Sequence, residues 1–160
     1  MRLISCHVEN FGKLSDYSVS FEPGENIILQ ENGWGKSTFA AFIRAMFYGL
    51  SGARKHGNEN ERKRFKPWQG GTFGGQLKFE YRGKTYTVSR VFSDREGSDV
   101  FELRDAETNL LSSDFSDRLG EELFRLNRES FMKSVFISQA DCETAVTDDI
   151  HARVEIGRAS

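Results

Sequence analysis

The chain has 160 residues, of which 38% are hydrophobic and 29% charged, with a formal net charge of −2. That is one domain's worth of ordinary globular composition, long enough to bury a real core, and its balanced charge excludes any general pull toward nucleic acid or membrane; such attraction has to be local. No run approaches the roughly 18 uninterrupted apolar residues of a membrane span.

The N-terminal Met1-Arg2-Leu3-Ile4-Ser5-Cys6-His7 turns polar too soon for a secretory signal. Residues 3–11 alternate loosely with β-type residues and Tyr17-Ser18-Val19-Ser20-Phe21 alternates cleanly. Two strands are therefore predicted, joined by a turn at Gly12-Lys13, with Pro23-Gly24 closing the second. Residues 26–30 predict a third strand, short and apolar as a strand buried on both faces should be.

The next segment carries the most information. Ile27-Ile28-Leu29-Gln30-Glu31-Asn32-Gly33-Trp34-Gly35-Lys36-Ser37-Thr38 reads as a buried strand, a glycine turn and the opening of an apolar helix. A phosphate-binding loop, here residues 30–38, needs that layout. Backbone N–H groups converge on an anion, the helix N-terminus adds partial positive charge, Lys36 reaches the outer phosphates and the Ser37 hydroxyl holds Mg²⁺. The predicted phosphate site is Asn32, Gly33, Gly35, Lys36, Ser37 and Thr38. The full pattern G-x-x-x-x-G-K-[ST] loses its first glycine to Gln30, which falls where strand becomes loop; the alternative is a chance glycine turn before a helix. Trp34 at the loop tip is large enough to stack on adenine or on a partner.

Residues 37–50 predict a helix apolar nearly all round (Phe39, Ala40, Ala41, Phe42, Ile43, Ala45, Met46, Phe47), which belongs inside a domain. Residues 51–72 read as a long irregular loop with Gly, Pro67 and charge. Between positions 54 and 66 six basic residues (Arg54, Lys55, Arg62, Lys63, Arg64, Lys66) face Glu59 and Glu61. The readings are a solvated surface loop, an arginine-finger contact to nucleotide, or a DNA phosphate patch, with Phe65 and Trp68 stacking on bases or pinning the loop to the core. A β-meander follows over residues 73–104, with strands at 73–81, 84–92 and 99–104. From residue 114 the period turns helical as far as 136: Phe115, Leu119, Leu123 and Phe124 share a face behind a cap at Ser112, Ser113 or Asp114, and Asn127 caps a helix bearing Phe131, Val135 and Phe136. The composition after Gln139 is polar and acidic. The fourteen Phe are spread along the whole chain, as core packing requires. Cys6 and Cys142 make no disulfide framework, and His7, His56 and His151 lack ligand spacing, so reduced thiols in a cytoplasmic protein are expected.

The fold class expected is α/β, of the P-loop NTPase kind. Small P-loop kinases and GTPases alternate strand and helix after the loop, whereas here an antiparallel meander comes first, and no Asn-Lys-x-Asp guanine-reading motif is present. The order matches the N-terminal lobe of an ABC-type ATPase head.

Three segments carry a family resemblance: Val8-Glu9-Asn10-Phe11-Gly12-Lys13-Leu14, Phe21-Glu22-Pro23-Gly24-Glu25-Asn26-Ile27-Ile28 and Glu31-Asn32-Gly33-Trp34-Gly35-Lys36-Ser37-Thr38. Together they resemble the opening of the SMC, SbcC and RecF class of ATPases, over roughly residues 1–150. The chain also resembles the bacterial YhaN-like AAA-family group of SMC-type proteins, across 31–50, 60–71 and 135–144. The resemblance implies that Val135-Phe136-Ile137-Ser138-Gln139 ends in the Q-loop glutamine, Gln139, which holds Mg²⁺ beside Ser37 and senses the γ-phosphate. It also implies that Lys13 approaches the nucleotide, although Gly12 stands where many members have Arg.

Such proteins continue into a long coiled coil and a C-terminal half-head carrying the signature motif and Walker B. No apolar run ending in Asp-Glu is found; Thr144-Ala145-Val146-Thr147 before Asp148-Asp149 is too short and polar. The chain is therefore expected to be the N-terminal lobe (1–150), with 151–160 starting the coiled coil, and to bind ATP and Mg²⁺ with no catalytic base of its own. Its expected partners are the missing C-terminal half-head, a second copy through the head, and DNA, with no membrane, in DNA repair or chromosome maintenance. Association is expected through the edge of strand 26–30 and the apolar helix 38–47. The rival reading is a non-catalytic P-loop interaction module.

Overall fold

In a computed structural model, residues 1–24, 35–51 and 60–134 are described. Strands β1 (Arg2–Phe11) and β2 (Leu14–Ser20) form the predicted hairpin. The predicted meander is β3 (Gly74–Tyr81), β4 (Lys84–Val91) and β5 (Val100–Asp105). Its first turn is Arg82-Gly83, both with positive φ (50° and 78°), the backbone twist that a two-residue hairpin favours. One feature was not foreseen: β1 pairs with β3, so hairpin and meander fuse into one antiparallel five-stranded sheet of order β2-β1-β3-β4-β5.

Helix α1 (Lys36–Tyr48) lies against one face of that sheet. The glycines of β3 make the approach possible. A Cβ on Gly75 would sit 2.9 Å from the Phe42 ring and 2.2 Å from the His7 carbonyl oxygen. Phe11 is the hub of the interior, with ring centroids 4.8 Å from Phe65, 5.6 Å from Phe42, 5.6 Å from Phe73 and 6.3 Å from Phe92. Each such buried aromatic contributes about 1.5–3 kcal/mol through burial alone. The opposite sheet face is polar, lined by Ser5, His7, Ser18, Gln76, Lys78 and Arg104 among others.

The C-terminal end of α1 has no basic residue in its last turn. Arg90 of β4 supplies the missing cation: its Nε donates to the Met46 carbonyl (2.8 Å), and its Nη2 donates to the carbonyls of Phe47 (3.2 Å) and Asp117 (2.7 Å). A buried guanidinium thus satisfies the carbonyls a helix leaves unpaired. Burial lowers its pKa to about 10.

Three expectations need correction. The stretch 51–72 is not wholly irregular, because α2 (Glu61–Phe65) sits inside it, capped by the Asn60 side chain, which accepts from the Lys63 amide at 3.2 Å. The helix expected from 114 begins at Leu119 (α3, Leu119–Phe124), since Asp114 is held instead by Lys84 (2.8 Å) and Tyr86 (2.7 Å). Finally, α1 presents no open apolar face for association. Phe39 and every residue from 41 to 47 are buried within this one chain, against the sheet and α3. The Asn127 cap is present on α4 (Arg128–Ser134), its Oδ1 accepting from the Ser130 amide at 2.8 Å. Strand 26–30, residues 135–136, Gln139, Cys142 and 151–160 lie outside the described residues.

Cys6 is buried, and burial pushes its thiol up to about 12 from 9.0. The neutral thiol is the form that folding favours. Its contribution to stability is therefore complete below pH 9 and lost as the pH rises toward 12. Iodoacetamide at pH 8 is expected to leave Cys6 unmodified in the native chain and to modify it in urea, as peptide mapping would read; rapid native labelling would contradict the burial.

Candidate functional site

The candidate site is the N-terminal end of α1. Its N-cap is Gly35 with φ 114°, a backbone shape that side-chain-bearing residues rarely adopt, and its first turn carries no acidic residue. A glycine cap has no side chain with which to occupy the first amides, and no acidic residue in the first turn compensates the helix's positive end. Ser37 is exposed there, with Lys36 and Thr38 half-buried.

The β1–β2 turn packs directly on this end. A Cβ at Gly35 would lie 3.1 Å from Lys13 Cε, so the Lys13 stem runs alongside the cap. Gly12, with φ 58°, brings its backbone so close that a Cβ would meet Thr38 Cγ2 at 2.9 Å. Its amide donates to the Phe65 carbonyl at 2.6 Å. An arginine at position 12 would collide with Thr38 here, which explains the glycine. The structure therefore brings together Lys13, Gly35, Lys36, Ser37 and Thr38. Asn32, Gly33, Trp34 and Gln139 lie outside the described residues.

The basic segment divides. Lys63, Arg64 and Lys66 are exposed; Arg64 lies 5.0 Å over the Phe65 ring, and Lys66 reaches Asp94 at 3.1 Å. Arg62 departs from all three readings of the segment, the solvated loop, the arginine finger and the DNA contact. It is buried and bidentate with Asp99 (2.7 Å on each oxygen), and it donates to the carbonyls of Leu50 and Ser93, both at 2.8 Å. A guanidinium so occupied is internal wiring and cannot reach a second molecule. Arg54 lies outside the described residues. Phe65 pins the segment to the core, whereas Trp68 is 93% exposed.

Sequence reasoning missed a buried ionic cluster beside α1. Glu61 accepts from both Arg44 of α1 and Arg128 of α4, and its second oxygen accepts from the Ser51 amide (3.1 Å) and hydroxyl (3.2 Å). Arg44 also points Nη1 at the Met132 sulfur, 3.8 Å away. Desolvation is the largest influence on Arg44 and lowers its pKa, opposed by the charge of Glu61. One signal was available in the sequence: an arginine in the middle of an otherwise apolar helix has to find a carboxylate.

Comparison with known proteins adds to this geometry. The family described as an AAA domain matches over residues 5–155. The "DNA double-strand break repair Rad50 ATPase" of Archaeoglobus fulgidus is 25% identical over 147 residues, covering 92% of this chain and 15% of that protein. The protein of the same name from Thermoplasma volcanium is 25% identical over 154 residues, covering 93% and 16%. The uncharacterized protein YhaN of Bacillus subtilis is 30% identical over 82 residues, covering 51% and 8%. The chain thus spans about one-sixth or less of the length of each of these relatives.

Proposed function

The chain belongs to the AAA domain family, as a segment of an ATPase head of the SMC and Rad50 class, and from that premise we propose that it is the N-terminal lobe (1–150) that binds the triphosphate of ATP with Mg²⁺. The observation that carries the reading is the glycine-capped end of α1, with Lys36 and Ser37 in its first turn and the Lys13 stem against the cap. A glycine-capped helix N-terminus with a lysine and a hydroxyl in its first turn is the donor set that a polyphosphate and its cation require.

In this reading the amides of residues 33–38 cradle the phosphates, Lys36 reaches the β- and γ-phosphate oxygens, and Lys13 closes one side. Ser37, and by the family resemblance Gln139, would hold Mg²⁺, which would supply charge neutralisation to the triphosphate. Positioning and charge stabilisation supply most of the catalysis in phosphoryl transfer, yet the water still has to be oriented. That group comes from the C-terminal half-head, so this chain alone binds ATP without turning it over. In the whole protein two heads sandwich ATP, and hydrolysis releases them. The relatives' names place those proteins in DNA double-strand break repair, and we extend DNA repair to this chain. Its exposed Lys63, Arg64 and Lys66 are the side chains offered to a phosphate backbone.

Calorimetry and a phosphate-release assay on the 160-residue chain test the reading. Mg²⁺-ATP is expected to bind, with turnover far below about 1 s⁻¹. Absence of any ATP binding would return the chain to a non-catalytic interaction module. Sustained turnover would mean that a residue such as Glu31 or Asp149 serves as the base.

A further inference from the structure

The chain leaves α2 with its side chains sorted. Phe65 and Pro67 are buried, whereas Lys63, Arg64, Lys66, Trp68 and Gln69 are exposed. Trp68 is 93% exposed, which leaves the apolar surface of the largest side chain in water. The backbone that carries it is held on both sides. Before the indole, the Phe65 ring stacks on Phe11 at 4.8 Å and the Gly12 amide donates to the Phe65 carbonyl at 2.6 Å. After it, the Gly70 amide closes a turn on the Pro67 carbonyl (3.4 Å), Gln69 Nε2 donates to Asn10 Oδ1 (3.2 Å), and Asn10 Nδ2 donates to the Thr72 carbonyl (3.0 Å). The indole is displayed from a fixed turn.

The surroundings of the ring are cationic. Glu61 is the acidic residue of this segment, and it is buried against Arg44 and Arg128, so the exposed charge between residues 60 and 73 is that of Lys63, Arg64 and Lys66. Asp94 answers Lys66 from the neighbouring loop at 3.1 Å. Within the same stretch the indole is the only exposed large apolar side chain. A protein-binding hot spot is a packed cluster of anchors ringed by further contacts, which this surface lacks. A lone π-face among cations fits a flat ring carried on a phosphate chain. Lys66 and Trp68 are two residues apart, so their Cα atoms lie within about 7 Å and can serve one nucleotide or two adjacent ones. The base faces of a duplex are covered by their stacked neighbours, so the ring has to come from an unpaired strand.

We propose that Trp68 is a stacking platform for one base of single-stranded DNA whose phosphates are taken by Lys63, Arg64 and Lys66. The assignment rests on the reading above that these three cations face a phosphate backbone, and it adds the class of nucleic acid. Every base has a π-face, so the platform confers a preference for unpaired bases and none for sequence.

Fluorescence anisotropy on the 160-residue chain tests it with a labelled oligothymidylate, an abasic strand of equal length and a blunt duplex. The oligothymidylate is expected to bind most tightly. Trp68→Ala is expected to weaken it by about tenfold, the effect of losing one aromatic–base stack, and to leave the abasic strand unchanged; Trp68→Phe is expected to recover most of the loss. Arg64→Ala is expected to weaken both strands alike, because it acts on phosphate. The indole is exposed, so neither Trp68 variant should shift the urea midpoint. Equal wild-type affinity for the oligothymidylate and the abasic strand overturns the platform and leaves the backbone contact standing. So does an equal loss of both in Trp68→Ala. A duplex bound as tightly as the oligothymidylate, with the same dependence on Trp68, overturns the unpaired-strand assignment. Polyglutamate binding that falls with Trp68→Ala would give the surface to an acidic protein segment and overturn it too. If the wild-type chain binds none of the three nucleic acids, the DNA reading fails and the platform fails with it.

Discussion

Replacing Lys36 with alanine is expected to weaken Mg²⁺-ATP binding by about ten- to a hundredfold while leaving the unfolding midpoint of the chain where it was. Hydrogen bonds to a charged group contribute about 1.5–3 kcal/mol, and every 1.4 kcal/mol is a factor of ten. Lys36 sits in the first turn of α1, half-buried and outside the core cluster, so its removal opens no cavity. The affinity change is then a statement about ligand contact and not about folding. Ser37→Ala makes a useful partner: it should erode the Mg²⁺-dependence of binding more than binding itself, because its hydroxyl serves the cation. Equal ATP affinity in wild type and Lys36→Ala would remove the phosphate-site assignment outright.

The parts of this molecule that could be read in advance are those whose pattern is local. The meander announced itself through alternation and through Arg82-Gly83, a pair that adopts the positive φ its turn demands. The hairpin at Gly12-Lys13 was equally plain, as was the Gly-Lys-Ser helix start. What was hidden depends on contacts far apart in sequence. The fusion of β1 to β3 joins residues about seventy positions apart, and nothing in either strand names its partner. Helix α2 was missed because Glu61-Arg62-Lys63-Arg64-Phe65 has no apolar period; its buried side is charged, and burial of Arg62 depends on Asp99, well outside the window a pattern can see. The start of α3 was misplaced for a related reason. Asp114 has the chemistry of a cap, but Lys84 and Tyr86 across the sheet claim it first.

The same long-range logic explains why α1 is closed to association. Taken alone, an all-apolar helix in a lobe of this size invites a partner. The chain supplies its own cover: Phe124 stacks edge-on against Phe47 at 5.2 Å, and Phe131 lies 5.0 Å from both Phe124 and Tyr48. If two heads meet as proposed, their contact has to use other surface, such as the cap of α1, where the proposed phosphate site would let a shared nucleotide bridge them.

The second large effect is expected at Glu61. Two guanidinium groups share this buried carboxylate; removing it strands the buried Arg44, whereas Arg128 is part-exposed and keeps the Ser51 hydroxyl at 3.1 Å. Breaking a buried pair by deleting one partner costs about 3–5 kcal/mol, a large part of the roughly 5–15 kcal/mol that holds a domain together. Glu61→Gln keeps the shape and removes the charge, and it should lower the urea midpoint steeply. The triple change Arg44→Met, Glu61→Leu, Arg128→Met removes every charge at once, and it should recover most of that loss, because hydrophobic replacement of an entire buried ionic group is close to neutral. An unchanged midpoint in Glu61→Gln would show that water already reaches the cluster. Recovery by the triple variant would carry a further meaning. Stability would then not be the reason for the cluster, and its retention would be traced to geometry: Glu61 fixes α1, whose N-terminal end is the proposed phosphate site, to α4. A triple variant with restored stability but weakened Mg²⁺-ATP binding would locate that role in the alignment of the two helices.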